Sequence, residues 1–543
     1  MVTFTLEFLM QPLRSLVPFA LLLIFLPLLA GGAHDHSMPA EQVGKVSFPI
    51  SCAPAVQKPF ERGVALLHSF EYEPADAQFK QVAKRDPQCA MAYWGEAMTL
   101  YHQLWEHPSK EDLRQGKILI QKAQQLKAKK PHERSYIAAL GAFYQLPPTE
   151  DYSRRTDAYA QAMERVYQQY PQDREAAVFY ALSLLGSDEG DPTLANPKKA
   201  VAILNKVFAE EPDHPGVAHY IIHSCDNPEM AAMGLAAARK YASIAPASPH
   251  AVHMPSHIFA RLGLWQDDIH SNLAALQAAD KMEAMHLHVM HHRMHSMDFL
   301  QYAYLQIGDD EKAKAEMDDL ARIQRAGIER DYRDYYDDMV TSFAARYAIE
   351  RRQWNEALDL QPVAGAAPNI QLGTYWAHAV AAGHLHNAAA AQEALKTYEA
   401  SLEEVKKSRW SYLIDGLQGE HKEVRAWAAY AEGKTDDALR LLREVADRQD
   451  KVGKGESDLP AREMLADILL DMHRPQDALE EYEVSLKTDP NRFNGLYGAA
   501  QAAEKLNQKE KAAGFYSKLL KNCQGVNSDR AELAQAKTLV AEQ

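Results

Sequence analysis

Ala478 and Tyr482 recur as Ala512 and Tyr516, 34 residues further on, and Pro490 stands twelve residues after Ala478. A fixed period of this length marks a stack of like supersecondary units, because one such unit cannot bury its own apolar face. The same spacing returns at Ala200, Leu204 and Pro212, and Gly234 and Pro246 follow Ala200 and Pro212 by 34 residues. Near the start, Gly63, Ala75, Phe79 and Pro87 fall at intervals of 12, 4 and 8. A small residue is needed where two helices cross closely, an aromatic ring fills the gap, and proline ends the second helix. Apolar residues at helical spacing, as in Ala218, Ile221, Ile222 and Cys225, complete the unit.

These intervals match the tetratricopeptide pattern and predict an all-α fold: a tetratricopeptide-type α-solenoid, wound as a right-handed superhelix of antiparallel helix pairs with a concave groove. Weaker units are expected at 151–171, 265–279, 308–320, 354–360 and 433–446, with loops at 360–372 and 449–460. The expected organisation is a signal peptide over 1–33 and an extended segment over 34–55. A helical array follows over 56–359, then middle repeats with loops over 360–459 and a C-terminal repeat pair over 460–543.

Composition narrows the partners. The chain of 543 residues is 47% apolar and carries 74 acidic against 59 basic residues, a net charge of −15. Phosphate-backbone binding is driven by clustered Lys and Arg, so nucleic acid is not an expected partner. Arg14 precedes an apolar run from Leu16 to Ala30, followed by Gly31, Gly32 and Ala33, the layout of a cleaved export signal. The run is short for a bilayer, which takes about 20 apolar residues, so a periplasmic or secreted protein is expected and an uncleaved membrane anchor is the alternative. Such a compartment permits disulfides. Cys52 and Cys89 fall at the same end of adjacent helix pairs, where a bridge or two buried thiols would both fit; Cys225 and Cys523 read as unpaired.

Five segments, Val46–Cys52, Arg62–Tyr72, Asp86–Met98, Ala218–Pro228 and His253–Trp265, resemble a group of exported bacterial tetratricopeptide proteins of largely unassigned function. The likeness spans most of 46–320 and implies fold and export, not a reaction. Cys225 departs from it, since the group has an aromatic residue there. Tetratricopeptide arrays generally bind protein segments in the groove, which makes a protein or peptide partner the expectation.

Twelve of the 23 histidines lie between His214 and His295. His219 and His223 stand four apart, as do His253 and His257, and the second pair follows the first by 34 residues. Residues at i and i+4 share a helix face about 5–6 Å apart, close enough for two imidazoles to meet one cation. The register places His219, His223, Asp226, His253, His257, His295 and Asp298 on the groove. Of these, His219, His223, His253, His257, His295 and Asp298 are the candidate metal ligands. Nitrogen and oxygen donors suit zinc, copper, iron or manganese alike. Pro255 interrupts the helix that would carry His253 and His257. His286, His288, His291 and His292 are expected to lie mainly on the exposed side of their helix, and a mature terminus His34-Asp35-His36 would suit Cu(II). The expected function is therefore an exported scaffold with a His/Asp-lined groove, holding a protein segment with or without a transition metal. The alternative is a metal-dependent enzyme of unknown reaction. No phosphate loop, nucleophile elbow or His-Glu-x-x-His helix occurs.

Overall fold

The computed structural model describes residues 42–541, apart from 105–106, 148, 189, 286, 288, 324, 326–327, 329–331 and 456. The expected signal segment, the His34-Asp35-His36 terminus and two of the clustered histidines, His286 and His288, lie outside the described residues. Among the described residues every regular element is a helix, and successive helices pack chiefly on their neighbours in the chain. The protein is an all-α solenoid of tetratricopeptide-type hairpins.

The signature positions act as their chemistry requires. A Cβ at Gly63 would stand 2.7 Å from the Phe79 ring and one at Gly95 2.4 Å from it, so one aromatic fills the gap between two helices that cross it from either side. Tyr482 does the same against Gly498 in the C-terminal hairpins. Ahead of the first helix, Gln57–His68, an extended strap reaches across the chain: Lys45 N–H donates to the Asp213 carbonyl at 3.2 Å, and Phe48 is buried among Phe60, Trp94 and Tyr136. Cys52 and Cys89 are joined as a disulfide, while Cys225 and Cys523 are buried free thiols.

The two expected loops are shorter than their composition suggests. Helix Pro368–His384 opens at Pro368, where the missing N–H lies among the unpaired first-turn donors and proline is tolerated. Helix Thr435–Val452 runs on to Gly453, whose φ of +87° ends it. One apolar core extends from Val43 to Val289 and another from Ala345 to Ala536, the latter continuous past residues 360 and 460.

Periodicity is silent about one contact. The turn at Gly263 touches the turn at Asn491, 228 residues away: Asn491 Nδ2 donates to the Gly263 carbonyl at 3.1 Å, and Trp265 Nε1 donates to the Asn491 carbonyl at 2.8 Å. Gly263 has φ +62°, and a Cβ there would meet the Pro490 carbonyl oxygen at 2.1 Å. Gly263→Ala therefore adds backbone strain to overpacking, and an expected loss of about 2–4 kcal/mol can be read from the urea midpoint. An unchanged midpoint would show this contact to be dispensable.

Candidate metal centre

Helix Pro215–Cys225 begins with Pro215 at its first position, and His214 caps it by accepting the Val217 N–H at its Nδ1 (3.3 Å). It presents His219 and His223 on adjacent turns. The next inner helix is broken into Pro249–His253 and Pro255–Arg261, because Pro255 has no N–H to continue the ladder. These pieces carry His250, His253 and His257, and helix Met290–Gln306 carries His291, His292 and His295.

Two groups of three imidazoles converge. His219 Nε2 lies 3.0 Å from His223 Nε2 and 2.9 Å from His250 Nε2. His253 Nε2 lies 3.1 Å from His257 Nε2, and the His295 ring is 4.4 Å from that of His253, centre to centre. Within each trio one nitrogen per ring falls within 4.8 Å of the others.

The opposite ring nitrogens fix the tautomers. His219 Nδ1 faces the His68 carbonyl at 2.6 Å and His257 Nδ1 faces Asp226 Oδ2 at 2.8 Å. His253 Nδ1 faces Asn272 Oδ1 at 2.6 Å, and that amide is oriented by Nδ2 donating to the Asp268 carbonyl (3.0 Å) and carboxylate (2.7 Å). Each partner is an acceptor, so Nδ1 carries the proton, and in a neutral ring that leaves Nε2, turned into the cavity, as the lone-pair nitrogen. Burial, reinforced by neighbouring imidazoles, holds His219, His250 and His253 well below the usual histidine range, which keeps them in the neutral, ligand-competent form.

The positions differ from a groove lining. His219, His250, His253 and His257 are buried, and only His223 and His295 are half-buried. Phe70, after the first helix, roofs the first trio with its ring 4.4 Å from His219 and 5.5 Å from His250. Phe299 flanks the second at 4.9 Å from His253. Asp226 stands behind the ligand positions, held by His257 and by Arg261 Nε at 2.8 Å. Asp298 joins neither trio: Arg346 Nη2 binds it at 2.8 Å and Ser457 Oγ at 3.1 Å, so the guanidinium claims it. His291 and His292 face inward, not outward; His292 Nε2 is 3.8 Å from Glu71 Oε2, because the Glu71 segment packs over that helix. Burial pushes the Glu71 carboxyl up to about 7, although the Ser248 hydroxyl donates to it at 2.5 Å.

His250 escapes the 34-residue register because it follows His219 by 31, yet it stands three residues before His253 on the same turn, and that spacing would have found it. A third group, His68, Glu175 and His214, carries no sequence signal. It differs chemically from the other two. The His214 cap leaves its proton on Nε2, which donates to Glu175 Oε1 at 2.9 Å. His68 Nδ1 meets the Tyr220 hydroxyl at 2.9 Å, and its Nε2 meets Glu175 Oε2 at 2.9 Å. Burial pushes Glu175 up, but His214 and His68 outweigh it and bring the carboxyl to about 2. This group is closed by its own hydrogen bonds.

A tetratricopeptide repeat model matches residues 463–527, which lie within the C-terminal hairpins. No curated protein matches the chain. Among solved structures, the human IFIT1 dimer with m7Gppp-AAAA is 11% identical with a TM-score of 0.36, over 80% of this chain and 90% of that one. The APC/C hetero-tetramer Cut9–Hcn1 is 12% identical with a TM-score of 0.31, over 89% and 96%. The P58(IPK) TPR domain is 13% identical with a TM-score of 0.20, over 90% and 99%. The family match thus falls where Ala478 and Tyr482 return as Ala512 and Tyr516.

Proposed function

We propose that this protein is an exported tetratricopeptide-type metalloprotein in which each histidine trio holds one first-row transition-metal ion. One observation carries the reading. His253 and His257 both turn Nδ1 to an acceptor and Nε2 towards each other at 3.1 Å, the arrangement of two imidazoles that share a cation. Two nitrogens each about 2.0–2.1 Å from a tetrahedral ion stand about 3.3 Å apart, close to that separation. The acceptors behind the rings are the outer-shell partners that metal-bound histidines require. Three protein ligands leave a position open for a substrate or water, which supports a metal-dependent activity as well as simple binding. The Cys52–Cys89 disulfide and the apolar run from Leu16 to Ala30 support an oxidising compartment.

Protein purified without a histidine tag, reconstituted and desalted, is expected to retain one ion per trio. His219→Ala should empty one site and His257→Ala the other, with the helical circular-dichroism signal kept. Substoichiometric metal in the wild type would remove the proposal.

A second reading, the grip on a protein segment, is favoured by a separate cavity of about 430 Å³ lined by Trp376, Glu420, Glu423 and Arg448. Release of a co-purifying partner by Trp376→Ala, with or without chelator, would support it.

A further inference from the structure

We propose that the two trios form one dinuclear copper centre that binds dioxygen between its ions, an inference that rests on the metal reading above. The trios interleave. The His223 and His257 rings are 6.3 Å apart and those of His250 and His253 6.4 Å, although each pair spans the two groups. The rings of His223 and His250, within one group, are also 6.3 Å apart. Each ion lies about 2.0–2.1 Å beyond its ligand nitrogens. Two ions held by rings at this spacing are therefore within reach of one bridging ligand. The helix Pro249–His253 ties them mechanically, since His250 serves one trio and His253, three residues on, serves the other.

The ligand set selects the metal. Both trios consist of imidazole alone, with no thiolate or carboxylate in either. Two dications side by side repel about four times as strongly as two monocations at the same distance. Asp226, which holds His257, is shared with Arg261, and the charge of Asp298 goes to Arg346. Copper alone among the candidate metals is stable as a monocation, accepts three imidazoles, and heads the affinity order as a dication. Phe70 and Phe299 set apolar rings against the trios, and apolar walls of this kind protect a reactive oxygen species.

The step balances without a further reagent. Each of two Cu(I) ions gives one electron to dioxygen, the O–O bond falls from double to single, and copper–oxygen bonds to both ions form. The product is a pair of Cu(II) ions bridged by peroxide, with no proton taken up; the reverse step releases dioxygen.

The test loads the full-length, metal-free protein with Cu(I) under anaerobic conditions, removes excess, and admits oxygen. Two coppers per chain, an intense near-ultraviolet charge-transfer band that appears with oxygen, and a loss of the copper EPR signal through coupling are expected. His257→Ala should keep one copper, lose the band, and show an ordinary Cu(II) EPR signal; His295→Ala gives the same comparison should that variant fail to fold. Two coppers that give a full, uncoupled EPR signal and no band overturn the dinuclear inference and leave the metal reading standing. Retention of zinc with rejection of copper does the same. Failure to hold any transition metal overturns both.

Discussion

Arg492→Ala is expected to remove about 3–5 kcal/mol of stability, because it strands buried carboxylates. Arg492 is 1% exposed and ties four helices together. Its Nε and Nη2 donate to both oxygens of Glu463 at 2.9 Å, Nη2 also donates to Glu350 at 2.8 Å, and Nη1 donates to the Tyr302 hydroxyl at 2.6 Å. Burial would lower the guanidinium pKa, yet Glu350 and Glu463 hold it well above the usual range. Asn494 Nδ2 and Gln306 Nε2 satisfy the rest of Glu350, at 3.0 and 3.1 Å. Alanine removes the cation and leaves Glu350 and Glu463 facing each other without compensation. Arg492→Lys keeps the charge but not the fork and should fall between. Urea unfolding at neutral pH measures both, and a loss under about 1 kcal/mol for the alanine variant would mean that the carboxylates find other partners or protons.

Glu175→Ala is expected to act in two places. It unpairs two fully buried imidazole N–H groups, each worth about 1–3 kcal/mol when left unsatisfied. It also frees His68, whose carbonyl orients His219, so at the proposed sites metal affinity of the His219 trio should fall about 10–100-fold while that of the His253 trio is unaffected. Competition against a chelator, site by site in the His257→Ala and His219→Ala backgrounds, separates the two. Equal loss at both trios would point to a general loosening of the fold. The pH dependence has a definite sign. The folded carboxyl sits near 2 and its ordinary value is 4.5, so the contribution is fully present above pH 4.5 and fades as pH falls towards 2. The gap between wild type and variant should close over that window.

Much of this architecture was legible in the spacing of a few residues. Gly63, Phe79, Tyr482 and Tyr516 announce hairpins because the steric demand of a helix crossing is local and repeats with the unit. The pairs His219/His223 and His253/His257 were legible for the same reason, being at i,i+4 and in phase with the 34-residue repeat. What periodicity does not encode is contact between units that are not neighbours. Phe70 over His219, the His68 carbonyl behind it, Glu71 beside His292 and Asn491 against Gly263 all join residues at least 149 positions apart. For that reason the histidines read as lining a groove and are in fact roofed over. Asp298 was misplaced by a comparable omission: its register was sound, but the attraction of Arg346 from another hairpin decides where its charge goes.

The Cys52–Cys89 disulfide has a consequence for the histidines. The loop it closes contains His68, Phe70 and Glu71, the stretch that orients one imidazole, shields another and abuts a third. Closing that loop narrows the wanderings of the denatured chain. An oxidised molecule thus has the wall of its cavity preorganised, whereas a thiol reductant added during isolation would slacken that wall and compete for the ions proposed to sit behind it.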